Sequence, residues 1–152
     1  PEITKSETMQ QIRDLVKEDP QAIWLVADMA YPATNIPAMA GADCLNTTQT
    51  YPQKTRWEML DPEGEYEDIY NRYCHIRASL GSKTMLELVS TDYVEVTLSP
   101  EDLKKLNIRY IVSTNDFDEK IAAGTTNIFT DSGIEFQKYY EGTQLSIYGC
   151  VY

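Results

Sequence analysis

The chain has 152 residues, with Lys+Arg 13 against Asp+Glu 24, a formal net charge of -11 and a pI ≈ 4.4. An acid excess of this size without a Lys/Arg cluster excludes nucleic acid and anionic membrane surfaces as partners. The longest apolar run, residues 22–27, is far short of the ~20 residues that a membrane helix needs.

Hydrophobic residues at 42% and charged residues at 24% lie in the ordinary globular range, and the length suits one domain over residues 1–152. The chain opens at Pro1 with no initiator Met and no secretory apolar region, so it is read as a piece excised from a larger protein.

Residues 4–19 read as a helix. Thr4-Lys5-Ser6-Glu7 fits a capping box, Met9, Ile12, Leu15 and Val16 recur at helical spacing, and Asp19-Pro20 stops the run. Residues 22–27 follow without alternation, which predicts a strand covered on both faces, ending at Asp28. Residues 29–64 carry no period. They hold Pro32, Pro37, Pro52, Pro62, Gly41 and Gly64, and allow one short helix over residues 54–60.

Asp61-Pro62-Glu63 predicts a further helix start, with Tyr66, Ile69, Tyr70 and Tyr73 along one face of residues 64–73. The period then changes to two, so residues 75–98 read as a three-stranded meander turned at Gly81-Ser82 and Ser90-Thr91-Asp92. Ser99-Pro100-Glu101-Asp102 opens a helix that ends near Asn107. Residues 108–112 and 126–130 read as strands, and Glu141-Gly142 turns a closing hairpin of 134–140 with 143–152. The expected fold is α/β (mixed α+β), a central mixed sheet with two to three helices.

The chemical toolkit is thin. Cys44, Cys74 and Cys150 are odd in number, widely spaced and without a CxxC, so they imply neither a disulfide scaffold nor a zinc knuckle. Cys74 and the sole histidine, His75, are adjacent and on a strand point to opposite faces, which excludes an easy thiolate–imidazole dyad. Asp116 and Asp118 form a DxD just beyond a strand, a weak candidate for a divalent metal and a diphosphate; a solvated acidic loop is the plainer reading. Asp28 has the same positional appeal. Asn46-Thr47-Thr48 matches an N-glycosylation sequon, a short match that chance explains.

Tyrosine is in surplus, 11 against three Phe and two Trp, and Tyr31, Tyr51, Trp57, Tyr66, Tyr70 and Tyr73 all fall within residues 31–73. A phenol has an apolar face and one polar tip, suited to gluing an irregular segment down and equally to stacking on sugars.

The order Tyr31-Pro32-Ala33-Thr34-Asn35-Ile36-Pro37, Gly41-Ala42, Asn46-Thr47-Thr48, Tyr51-Pro52, Trp57, Leu60-Asp61-Pro62 and Tyr70-Asn71-Arg72-Tyr73-Cys74-His75-Ile76 is similar to a known pattern. So are residues 103–113 and the closing Leu145-Ser146-Ile147-Tyr148. Together they resemble the soluble C-terminal segment of large bacterial polytopic membrane proteins of the multi-spanning, lipid-linked-sugar glycosyltransferase type. The departure is at Cys74, where the commoner pattern has alanine.

The resemblance implies an accessory domain on the extracytoplasmic face, with the catalytic acid elsewhere in the parent and no active site in this chain. The expected partners are a glycan or lipid-linked sugar and the protein's own transmembrane portion, with no cofactor. Tyr31, Asn35, Tyr51, Trp57, Asn71, Arg72 and His75 are expected to shape the ligand surface, rings stacking and polar groups bonding hydroxyls. Each also has a structural reading: Asn71 as a loop anchor, Arg72 paired with Asp68 one turn earlier. The alternatives are a metal-dependent enzyme on a nucleotide-sugar or phosphate using Asp116 and Asp118, and a purely structural docking domain.

Overall fold

In the computed structural model of the protein, the backbone is described over residues 2–122 and 127–152, and side chains over residues 7–120 and 129–152. Helix α1 (Glu2–Glu18) comes first, and the expected capping box lies inside it rather than at its start. Strand β1 (Ile23–Val26) follows, then a 3-10 turn (Ala33–Asn35), α2 (Ile36–Met39) and β2 (Asp43–Cys44). Helix α3 (Lys54–Leu60) forms where the sequence allows it, so residues 29–64 are irregular but contain short elements.

The expected helix over residues 64–73 shrinks to α4 (Glu67–Tyr70). Its supposed start is a turn instead. The Asp61 carboxylate accepts from the amides of Glu65 (2.9 Å) and Tyr66 (2.8 Å), which competes with helix entry at Pro62. Gly64 closes this turn at φ 69, in the left-handed region that favours glycine.

Strands β3 (His75–Leu80), β4 (Met85–Ser90) and β5 (Tyr93–Leu98) then form a three-stranded sheet, but not a meander. Its order is β3-β5-β4, with β3 parallel to β5 and β4 antiparallel to β5. Period-two alternation sets the strands and their buried faces, but carries no information on which neighbour each strand chooses.

Helix α5 (Pro100–Lys105) starts as expected: the Ser99 hydroxyl accepts from the Asp102 amide, and Pro100 occupies the first turn. After it come β6 (Ile108–Thr114), α6 (Asp116–Ala122), α7 (Asn127–Asp131), β7 (Glu135–Glu141) and β8 (Leu145–Val151). The strand expected over 126–130 is corrected: residues 127–130 are helical, part of α7, and residue 126 is outside the described residues. Short apolar runs do not distinguish a strand from a helical turn. The closing hairpin is present, β7 antiparallel to β8.

The principal sheet is five-stranded and mixed, in the order β2-β1-β6-β8-β7, with β1 parallel to both β2 and β6. An isolated parallel bridge, Ala27 to Ala78, joins it to the smaller sheet. Trp24, Leu25, Val26 and Ala27 are all buried, because this strand is covered on both faces. Leu25, Ile111 and Tyr148 face a core shared with the smaller sheet, α3 and α5. Trp24, Val26, Tyr110, Val112 and Ile147 face a second core closed by Ile12 of α1 and Ile36 of α2. The molecule is therefore an α+β fold with two sheets where one was expected, and more, shorter helices than two or three.

Candidate functional site

The order in which strands are added reverses at β1, all three strands there being parallel. From it the chain passes to β2 on one side, and later returns as β6 on the other. In open α/β sheets such a reversal leaves a crevice at the carboxyl ends of the strands, where ligands collect. Asp28, Tyr31, Asn46 and Thr48 all follow those ends.

Asn46 locks the crevice. Fully buried, it accepts from the Val26 amide through Oδ1 (2.9 Å) and donates from Nδ2 to the carbonyls of Val26 (2.7 Å) and Ile76 (3.4 Å). The apparent glycosylation sequon is thus a structural clamp between the two sheets. Asp28 stands in the left-handed region (φ 61), its carboxylate paired with Lys120 and its carbonyl accepting from Arg77 (3.4 Å).

Beyond Asn46 the chain pairs with the segment leading into β3. The amides of Gln49 and Cys74 donate to each other's carbonyls at 2.8 and 3.0 Å. Neighbours in such an antiparallel pair alternate in direction. Gln49 and Cys74 turn inward and are buried, leaving Thr48, Thr50, Tyr73 and His75 half-buried or exposed. Thr48 Oγ1 is 3.0 Å from His75 Nδ1, and the Thr48 amide donates to Asn35 Oδ1 at 2.8 Å.

Tyrosines surround the imidazole. The Tyr31 ring lies on it with centroids 4.1 Å apart, Tyr73 meets it edge-on at 5.6 Å, and Tyr93 lies at 6.2 Å. The Tyr93 hydroxyl accepts from the Tyr31 amide at 3.3 Å. Tyr31 and Tyr73 are each 49% exposed, so the cluster offers ring surface to solvent.

Of the seven residues expected to shape a ligand surface, Tyr31, Asn35 and His75 are brought together. Tyr51, 85% exposed, stands on the same segment and borders a small cleft beside Thr48. Trp57 is corrected: at 2% exposure it offers no ring face to a sugar. Its indole donates to Gln49 Oε1 (2.6 Å) and stacks on Tyr70 at 5.2 Å. Arg72 is corrected too. It reaches the carbonyls of Asp68 and Thr91, not the Asp68 carboxylate, and so ties α4 to the turn before β5. Asn71 ends α4 and borders a separate cleft of about 320 Å³ rich in carboxylates.

Gln49, Thr48 and Tyr93 are absent from the expected seven, and Tyr73 enters the sequence reading only as one of the clustered tyrosines. Gln49 is the internal hub, its Nε2 donating to the carbonyls of Tyr70 and Arg72 at 2.7 Å each. Only the pairing of two segments distant in sequence reveals it.

The acidic candidates do not converge. Asp116 and Asp118 lie on α6, where residues two apart point to different sides. Asp118 accepts from Tyr148 (2.9 Å) and from Lys138, and the Lys138 ammonium, ahead of the phenol, holds its carboxyl below the usual range. Among the described residues no group of three or more His, Cys, Asp or Glu is placed to hold a metal ion. A further cleft of about 570 Å³ is bordered by Asp61, Glu63, Glu65, Glu101, Asp102 and Lys83, and Asp61 is already engaged by the backbone.

No thiol is poised to react. All three cysteines are free and buried, and burial pushes Cys44 and Cys74 up to about 11 and Cys150 up to about 12. Cys74 points into the core, away from the half-buried His75 ring, so the two do not form a dyad.

Fold and surface together define an α+β domain that presents an aromatic ribbon at the carboxyl ends of parallel strands. The chain belongs to the family described as Domain of unknown function (DUF7654), whose profile matches residues 2–152. No curated protein and no solved structure matches it.

Proposed function

We propose that the chain is a non-catalytic, extracytoplasmic domain of a membrane glycosyltransferase-like protein. It binds a glycan and guides it during assembly of cell-envelope polysaccharide. The observation that carries the binding part is the half-exposed pair Tyr31 and Tyr73 flanking His75. Sugar rings present C–H faces that pack on aromatic faces, while their hydroxyls need nearby donors and acceptors. Here Thr48, Thr50 and Asn35 supply them beside the rings. The membrane part rests on the sequence resemblance, and no helix among the described residues is long and apolar enough to cross a membrane.

Titrating the isotopically labelled chain with neutral oligosaccharides tests binding. Amide shifts centred on residues 31, 48, 73 and 75, abolished in Tyr31→Ala and Tyr73→Ala, are expected; no shifts with any glycan would overturn the reading. Protease protection of the full gene product in membrane vesicles tests the location.

A second reading, docking onto the protein's own membrane portion, is favoured by edge strand β4, which exposes Met85, Leu88 and Val89. It predicts that Val89→Lys, and not Tyr31→Ala, frees the domain from that portion, measured by crosslinking in membranes.

A further inference from the structure

The surface that carries the ribbon continues past His75. In the smaller sheet His75 is the register partner of Tyr93, and Glu95 is the partner of Arg77 on one side and of Glu87 on the other. Side chains two residues apart on a strand share a face. The row Arg77, Glu95, Glu87 therefore lies beside the His75 and Tyr93 rings, about 7 Å along the strands. Ile76, Val94, Val96 and Leu86, which point the other way, are buried in the core, so this row is on the outer face of the sheet. Glu87 is exposed and Glu95 half-buried.

Like charges directly opposite each other on antiparallel strands are destabilising. Neither Glu95 nor Glu87 has an ion pair or a side-chain hydrogen bond among the described residues to offset this. The cations around them are engaged elsewhere. Arg77 donates to the Asp28 carbonyl (3.4 Å), Lys120 pairs with the Asp28 carboxylate, and Arg72 donates to the carbonyls of Asp68 and Thr91. The ribbon itself favours positive charge, because the face of a tyrosine ring attracts cations. A net charge of -11 draws them to the chain as a whole.

We infer that the ribbon selects a glycan with free amino groups, one built from hexosamine without its N-acetyl group. One sugar packs on the rings around His75. The ammonium of its neighbour is received by Glu95 and Glu87, donating to both carboxylates and relieving their repulsion. This inference rests on the glycan reading above and adds the substituent that the surface recognises.

The test compares two trisaccharides of identical linkage, one of glucosamine and one of glucose, by calorimetric titration into the 152-residue chain. At about pH 6 amines are protonated and carboxylates are not. The amino sugar is expected to bind about tenfold or more tightly, the scale of one hydrogen bond to a charged group. Replacing both acids, Glu87→Gln with Glu95→Gln, should erase that preference while leaving the urea midpoint unchanged or higher, since a like-charge pair is removed. Glu63→Gln with Glu65→Gln makes the same change in net charge on the distant turn and should keep the preference. Equal affinity for the two sugars overturns the inference and leaves the glycan reading standing. So does a preference that survives the first pair of substitutions, or one that the second pair abolishes equally. Failure of both sugars to bind overturns both.

Discussion

The imidazole of His75 is held from two sides, by the Tyr31 ring at 4.1 Å between centroids and by Thr48 Oγ1 at 3.0 Å from Nδ1. Tyr31 comes from the loop after β1 and Thr48 from the loop after β2, so the contact ties the ends of two parallel strands to the start of β3. Loops carry binding groups well when a rigid scaffold fixes them, and here the scaffold is the pairing of Gln49 with Cys74.

Tyr31→Ala should therefore separate binding from stability. A ring stack is worth about 0.5–1.5 kcal/mol, so glycan affinity should fall about tenfold. Because the ring is half in solvent, the urea midpoint should move by less than about 1 kcal/mol equivalent. Affinity by calorimetry and stability by urea titration, run on the same preparation, check both parts.

Asn46→Ala should do the opposite. It strips the partners from the buried amide and carbonyl of Val26 and from the carbonyl of Ile76. Buried backbone groups left unpaired cost about 1–3 kcal/mol each, so a loss of about 3 kcal/mol is expected in urea unfolding. The same burial predicts that expression in a glycosylating host adds no glycan mass at Asn46 in the folded chain, which intact-mass spectrometry would show.

Trp57→Phe tests the support beneath the ribbon. It keeps an aromatic ring against Tyr70 but removes the donor to Gln49 Oε1. A loss of about 1–2 kcal/mol is expected, the cost of a buried acceptor without its partner. Trp57→Ala adds a cavity, bringing the loss to about 3–5 kcal/mol. Thermal unfolding of the two variants orders them.

The three thiols predict an alkaline limit. Burial raises Cys44 and Cys74 to about 11 and Cys150 to about 12, above the ~8.5 of an unfolded cysteine. Groups raised in this way hold the folded state fully below the unfolded value. Their contribution fades as pH rises from there through the folded values. Stability should hold to about pH 8 and decline toward pH 11. A thiol-specific chromophoric reagent at pH 8 should label none of the three in the native chain and all three in urea.

The amino-acid order by itself determined the elements whose signals are local. Ser99-Pro100 starts α5 because cap and ring act within one turn. Within the apolar run 22–27, residues 23–26 form a strand covered on both faces because no polar residue interrupts it, and residues 54–60 form α3 inside an otherwise aperiodic stretch. It also singled out Tyr31, Asn35 and His75, whose side chains the fold then brings to one surface around Thr48.

Tertiary structure alone decided the rest, through contacts between residues far apart in sequence. The order β3-β5-β4 is a choice among neighbours that alternation cannot express. Trp57 and Arg72 became supports because Gln49 and the carbonyls of Asp68 and Thr91 reached them first. Thr48 and Tyr73 joined the site because the bridge between Gln49 and Cys74 turns every second side chain outward. The acid excess still disfavours polyanions. The tyrosine surplus, a number in the sequence, resolves into buried supports such as Tyr70 and an exposed ribbon, because only packing decides which face of a phenol meets water.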